Sequence, residues 1–240
     1  MNIRILKDAG AIGKAAASLI AAKVVGKPNC VLGLATGSSP LPAYSELVKL
    51  YEAGALDFSR VKTFNLDEYA GIDRAHEQSY YRFMLDNLFS KVNIKLENVR
   101  VPDPNGTSPE ACAAYDAAIA AAGGIDLQVL GLGIKGHIAF NEPDSIFHEG
   151  THVVDLDEST IEANKRFFAS AADVPRRAVT MGIGHIMRAR EIVLVANGEH
   201  KAQAVRDMVK GPIDPMCSAS ILQLHPAATI LLDEAAASLL

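Results

Sequence analysis

The sequence is poor in the features that mark a secreted, membrane-spanning or nucleic-acid-binding chain. Its 240 residues hold three cysteines, Cys30, Cys112 and Cys217, an odd and widely spaced set. Such a set suits free thiols in a reducing cytosol better than a disulfide framework. No apolar run approaches the roughly 20 residues of a membrane helix. Residues 1–7 carry no apolar stretch with a small-residue cleavage site, so no secretory signal is expected. Basic residues are not in excess: 23 Lys and Arg face 28 Asp and Glu, a formal charge of −5, which argues against the basic stripe of a nucleic-acid binder. Polar bias is missing as well. With 49% apolar and 21% charged residues, the usage is that of an ordinary globular chain. At this length it buries a full core without disulfides or metals, which excludes disorder as the main state. Internal repeats and long Pro/Gly/Ser linkers are lacking, so residues 1–240 are expected to form one domain. What remains is a soluble globular protein of the cytoplasm.

Short, uninterrupted apolar runs are present instead, at 30–35, 61–66, 127–132, 178–183, 192–196 and 229–232. Runs without polar alternation read as strands covered on both faces, the habit of parallel sheets. Helical patterns lie between them. One spans about 9–25, with Asp8 as cap and Gly26 as stop. Another is the Ala-rich stretch 111–124, with Ser108 as cap, Pro109 in its first turn and Gly123-Gly124 as stop. Strands alternating with helices imply βαβ units, hence an α/β class: a Rossmann-like open, mostly parallel sheet with helices on both faces. In such sheets ligands bind beyond the carboxyl ends of the strands, so the residues just after each apolar run are the ones to examine.

After 30–35 comes Thr36-Gly37-Ser38-Ser39-Pro40, followed by a helical pattern. A small-residue turn at a helix start offers N–H groups, hydroxyls and a positive dipole end to a phosphate or carboxylate; a tight turn with a capping serine explains the same residues equally well. After 61–66 comes Asp67-Glu68-Tyr69, where one carboxylate is a candidate general base, with helix capping as the alternative. After 127–132, His137 stands among glycines and is followed by Asn141-Glu142-Pro143. A histidine held by a carboxylate changes protonation near neutral pH, as acid–base chemistry needs. Arg166 and Lys201 follow or fall between strand ends, where a phosphate needs counter-charges, although surface solvation is the default for such side chains. His148-Glu149-Gly150-Thr151-His152 matches the zinc-hydrolase pattern H-E-x-x-H. That chemistry needs both histidines on one helical face, and Gly150, Thr151 and the extended-looking His152-Val153-Val154 give no helix. The match is read as chance.

Taken together, the pieces resemble the glucosamine-6-phosphate deaminase family: LGLATGSSP at 32–40, TFNLDEY at 63–69, QSYYRFM at 78–84, GHIAFNEP at 136–143, ANKRFF at 163–168 and LQLHP at 222–226. They run in the family's order along nearly the whole chain, and the second and fourth are the most specific. The resemblance implies conversion of glucosamine 6-phosphate to fructose 6-phosphate and ammonia without a metal or organic cofactor. Asp67 would then move a proton between C2 and C1, and His137, oriented by Glu142, would open the sugar ring. Thr36, Gly37, Ser38, Ser39, Arg166 and Lys201 would hold the phosphate. The partner expected is a small sugar phosphate, with no nucleic acid or membrane; monomer and homo-oligomer both stay open.

Two positions depart from the family pattern. Lys135 stands where Asp or Asn is usual, so either it enters the ring-opening relay as a cation or its stem carries the ammonium to solvent. His152 and Val154 replace the Arg and Lys of allosteric members, and the chain stops soon after Glu234, so activation by N-acetylglucosamine 6-phosphate is not expected. The alternatives are a galactosamine-6-phosphate deaminase, a 6-phosphogluconolactonase, which FNLDEY and FNEP disfavour, and a sugar-phosphate sensor without turnover.

Overall fold

In a computed structural model, which describes all residues except 166, 167, 169, 171 and 172, seven strands form one sheet. In chain order they are β1 (Asn2–Leu6), β2 (Val31–Leu34), β3 (Lys62–Asn65), β5 (Val99–Arg100), β6 (Leu127–Leu130), β9 (Glu191–Ala196) and β10 (Ala228–Asp233). Their spatial order is β1-β10-β9-β6-β2-β3-β5, and every pair is parallel. The central strands β2 and β6 are buried along their whole length, which is why they read as unbroken apolar runs.

Helices α1 (Ala9–Gly26), α2 (Leu41–Glu52), α3 (Tyr80–Asn87), α4 (Pro109–Ala121) and α7 (Ala202–Lys210) connect these strands. With this strand order, the right-handed crossover rule puts α1, α2 and α3 on one face and α4 and α7 on the other. The N-caps expected for two of them hold, while Gly26, expected as the stop of α1, is its last helical residue. Asp8 Oδ1 accepts from Ala11 N at 2.8 Å, and Ser108 Oγ from Ala111 N at 3.2 Å. Gly123 and Gly124 end the Ala-rich helix with φ of 91° and 79°, a left-handed backbone that glycine adopts at no steric cost.

Helix α1 corrects one expectation. Its 18 residues, with mean hydropathy 1.3, are long and apolar enough by length and composition to cross a membrane. In the fold, Ile12, Gly13, Ala16, Ala17, Ile20 and Val24 form its buried stripe. A Cβ on Gly13 would stand 2.7 Å from the Pro42 carbonyl carbon, so α1 and α2 meet backbone to backbone there.

A second correction concerns 178–183. Its first residues belong to β8 (Arg177–Thr180), which is not in the parallel sheet. It is the middle strand of an antiparallel trio, between β4 (Asp67–Tyr69) and β7 (His152–Asp155). The run is apolar because it is covered on both sides. Ala178 belongs to a separate small cluster with Tyr69, Ile72, Phe140, Leu156, Ile161 and Val174. Burial on two faces is the cause of such a run, and a parallel sheet is only its commonest setting.

Candidate functional site

The chain leaves β5 for β6 across the sheet, so that β2 and β3 run one way from the middle and β6, β9 and β10 the other. The gap beyond the carboxyl ends of β2 and β6 is the switch point at which open α/β sheets bind ligands. A cavity of about 220 Å³ lies there, lined by Thr36, Gly37, Ser38, Ser39, Asp67, His137 and Lys201 among others. Four segments far apart in sequence thus deliver the expected residues to one cleft. Glu142 stands just behind His137. Arg166 lies outside the described residues.

The turn after β2 is held by Tyr44, whose hydroxyl donates to the Ala35 carbonyl at 2.6 Å from inside α2. Gly37 takes φ 92°, which lets Thr36, Ser38 and Ser39 wrap the start of α2 without a Cβ clash. Lys201 comes from the other side of the cleft, in the 3₁₀ turn Glu199–Lys201 ahead of α7.

Asp67 opens β4. It is 6% exposed, and among the described residues no donor bonds its carboxylate. Burial, followed by the negative charge of neighbouring Glu68, pushes its pKa up to about 8. Glu68 is fully buried and accepts from the N–H groups of Tyr69, Tyr80 and Tyr81 at 2.9, 2.9 and 3.0 Å. It therefore ties the start of α3 to β4 and is committed to structure, whereas Asp67 faces the cleft. The helix-capping alternative for Asp67 does not hold.

His137 sits in a turn in which Gly133 N donates to the His137 carbonyl at 2.8 Å and Gly136 N to the Gly133 carbonyl at 3.0 Å. A Cβ on Gly133 would lie 2.1 Å from His137 Nε2, so the imidazole packs on bare glycine backbone. Glu142 Oε2 stands 3.0 Å from His137 Nδ1, with the two side chains 7% and 12% exposed, close enough for charge pairing but off the line of a straight hydrogen bond. Burial raises the Glu142 pKa, but His137 and the other donors around it outweigh that effect, so its carboxyl ends below the ordinary value. The loop is pinned from behind. Asn141 Nδ2 donates to the carbonyls of Ile138 and Met181, both at 3.0 Å, and Phe140 N donates to Thr180 Oγ1 at 3.1 Å. Ala139, on the cleft wall, holds φ at 53°, a strained value for a residue with a side chain.

Lys135 follows neither of its two expected courses. Its Nζ lies 2.8 Å from Asp157 Oδ1, with the side chains 42% and 32% exposed, so the ammonium is paired with a carboxylate and not with His137. The zinc-hydrolase pattern also lacks its scaffold. His152 opens β7 and the residues before it are loop; His148 Nε2 pairs with Asp144 at 2.8 Å, and the two imidazoles stack at 4.2 Å.

Sequence reasoning missed part of the wall. Tyr80, Thr160 and Asn164 also line the cleft. Tyr80 lies inside the recognised QSYYRFM segment, but nothing in its type marked it as a cleft residue. Its ring stacks on Phe140 with centroids 5.9 Å apart. Thr160 and Asn164 belong to α5 (Glu158–Asn164), whose weak pattern gave no hint of where it packs.

A family model described as glucosamine-6-phosphate isomerases/6-phosphogluconolactonase matches residues 8–236. The glucosamine-6-phosphate deaminase of Clostridioides difficile (strain 630) is 53% identical over 239 residues, covering 99% of this chain and 96% of that protein. That of Thermoanaerobacter pseudethanolicus is 51% identical over 243 residues, covering 100% and 95%. A solved monomeric glucosamine-6-phosphate deaminase of the NagB superfamily superposes with a TM-score of 0.97 at 39% identity, covering 100% of both chains. With its cleft at the switch point and these relatives over its full length, the chain belongs to the glucosamine-6-phosphate isomerase/6-phosphogluconolactonase family.

Proposed function

We propose that this protein is a glucosamine-6-phosphate deaminase, converting glucosamine 6-phosphate and water to fructose 6-phosphate and ammonia. The observation that carries the reading is the placement of one buried carboxylate, Asp67, and one imidazole backed by a carboxylate, His137, on the walls of the same cleft. Relatives at about half identity bear this activity in their names.

The chemistry assigns a role to each residue. Ring opening needs a group that takes the proton of the C1 hydroxyl and returns one to the ring oxygen; His137 does this, with Glu142 offsetting the charge of the imidazolium. In the open aldehyde the C2 proton is acidified by the carbonyl. Asp67 removes it while O1 takes a proton from the C2 ammonium, leaving a neutral C1–C2 enolamine; Asp67 then returns its proton to C1, which leaves a C2 iminium. Water adds to that carbon, and ammonia departs to give the ketone. A carboxylate shielded from water is a stronger base than one in solution, and the raised pKa of Asp67 fits the task. The approach of the substrate's C2 ammonium favours the ionised form.

The phosphate is assigned to Thr36, Gly37, Ser38 and Ser39 at the start of α2, with Lys201 and Arg166 as counter-charges. No residue in this scheme calls for a metal or an organic cofactor. Residues 1–240 act as one catalytic unit in the cytoplasm, in the breakdown of N-acetylglucosamine-derived amino sugar. The test is ammonia release from glucosamine 6-phosphate, set against the galactosamine epimer, with and without chelator. Release from the glucosamine substrate that chelator leaves unchanged is expected. Preference for the epimer, or loss of activity in chelator, overturns the assignment.

A further inference from the structure

The loop that carries His137 and the helix that walls the cleft are joined by a closed ring of contacts. Lys135 Nζ pairs with Asp157 Oδ1 at 2.8 Å. Asp157 caps α5, its Oδ1 accepting from Ser159 N at 2.8 Å and from Ser159 Oγ at 2.6 Å. The Asp157 N–H in turn donates to Glu142 Oε1 at 3.4 Å, and the other oxygen of that carboxylate stands 3.0 Å from His137 Nδ1. The chain from His137 back to Lys135, through Gly136, closes the ring. Two of its members touch the proposed relay and one, Asp157, begins the helix that brings Thr160 and Asn164 to the cleft.

We infer that Lys135 and Asp157 are positioning residues for the deaminase reaction, an ion-pair strap that holds α5 against Glu142 and so fixes the carboxylate that orients His137. This rests on the reading of His137 and Glu142 given above. The physical case is one of division of labour. A carboxylate has two oxygens; the strap supplies an N–H for one, which keeps the other beside the imidazole at charge-pairing distance. The pair is half-exposed, so each of its partners contributes modestly, and its effect on rate is correspondingly small.

The test uses the full chain and four variants. Lys135→Met removes a positive charge and Asp157→Ser a negative one, while serine still serves as a helix cap. Lys135→Arg keeps the pair, and Lys135→Met/Asp157→Ser removes both ends. The strap predicts that both single variants lower kcat/KM in the same direction, by roughly two- to five-fold, that the double variant is no worse than either, and that Lys135→Arg stays near wild type. Effects of opposite sign would mean that bare charge acts on the site at a distance, and unchanged kinetics would make Lys135 a bystander; either overturns the inference. Amide hydrogen exchange over Glu158–Asn164 gives a readout that does not need turnover. Faster exchange in both single variants is expected, and unchanged exchange contradicts the strap. If the wild type releases no ammonia while exchange responds as expected, the activity assignment fails and the strap stands.

Discussion

At the scale of single residues, Asp67 and Glu68 show how two adjacent carboxylates come to different ends. One is satisfied by three backbone N–H groups, and the other faces the cleft with no donor among the described residues. Asp67 affects stability in a definite direction. Its pKa stands at about 8 in the fold against 3.8 in a free chain, so the native state binds the extra proton across that window, and stability falls as pH rises through it. Asp67→Asn is therefore expected to be more stable than wild type. The gap should widen from about pH 4 to pH 8, at no more than about 1.4 kcal/mol per pH unit, and level off above. Denaturant melts at pH 5, 7 and 9 check this; a constant gap contradicts it. Glu68→Gln is expected to move the acidic limb of the kcat/KM profile to lower pH, because it removes the negative charge that helps to hold Asp67 protonated. It should also lower stability by about 1–3 kcal/mol, since an amide nitrogen facing those N–H groups cannot accept. A limb that does not move removes Glu68 from the electrostatics of Asp67.

At the scale of elements, the close approaches at glycine separate function from stability. Gly133→Ala would drive a Cβ into the His137 ring, so kcat is expected to fall by at least an order of magnitude, as it does when an acid–base group is displaced, while the sheet core is untouched. Gly13→Ala meets Pro42 backbone between α1 and α2, well away from the cleft. A loss of about 1–3 kcal/mol is expected there with kcat of the folded protein unchanged. Thermal melts alongside turnover numbers distinguish the two, and the reverse pattern would refute the placement of either.

The elements also show what a sequence discloses. Caps such as Asp8 and Ser108 act within three residues, so local pattern suffices to find them. Strand β1 lies at the sheet edge beside β10 and has exposed residues in its pattern, so no apolar run announced it. Strand β4 is three residues long and two are acidic, a composition that read as chemistry and turned out to be both chemistry and strand. The antiparallel trio of β4, β8 and β7 joins segments about 110 residues apart, and periodicity carries no information about such partners.

For the molecule as a whole, the site was legible because the open α/β sheet has a fixed place for ligands, and Asp67, His137, Lys201 and the 36–39 turn follow strands that meet there. The Lys135–Asp157 pair was not, since its partners lie on different elements 22 positions apart and come together only when α5 docks. If the cleft holds phosphate at one end and the reacting carbons at the other, Lys201→Ala should raise KM more than it lowers kcat, and glucosamine without its phosphate should be a very poor substrate. Comparable turnover of the free sugar would contradict that arrangement. The central claim is that Asp67 carries the proton between C2 and C1, and it is tested most directly by the rate of ammonia release from glucosamine 6-phosphate by wild type and Asp67→Asn measured side by side. The account predicts a fall of about 10²–10⁴-fold with sugar-phosphate binding retained; a variant within a few-fold of wild type would contradict it.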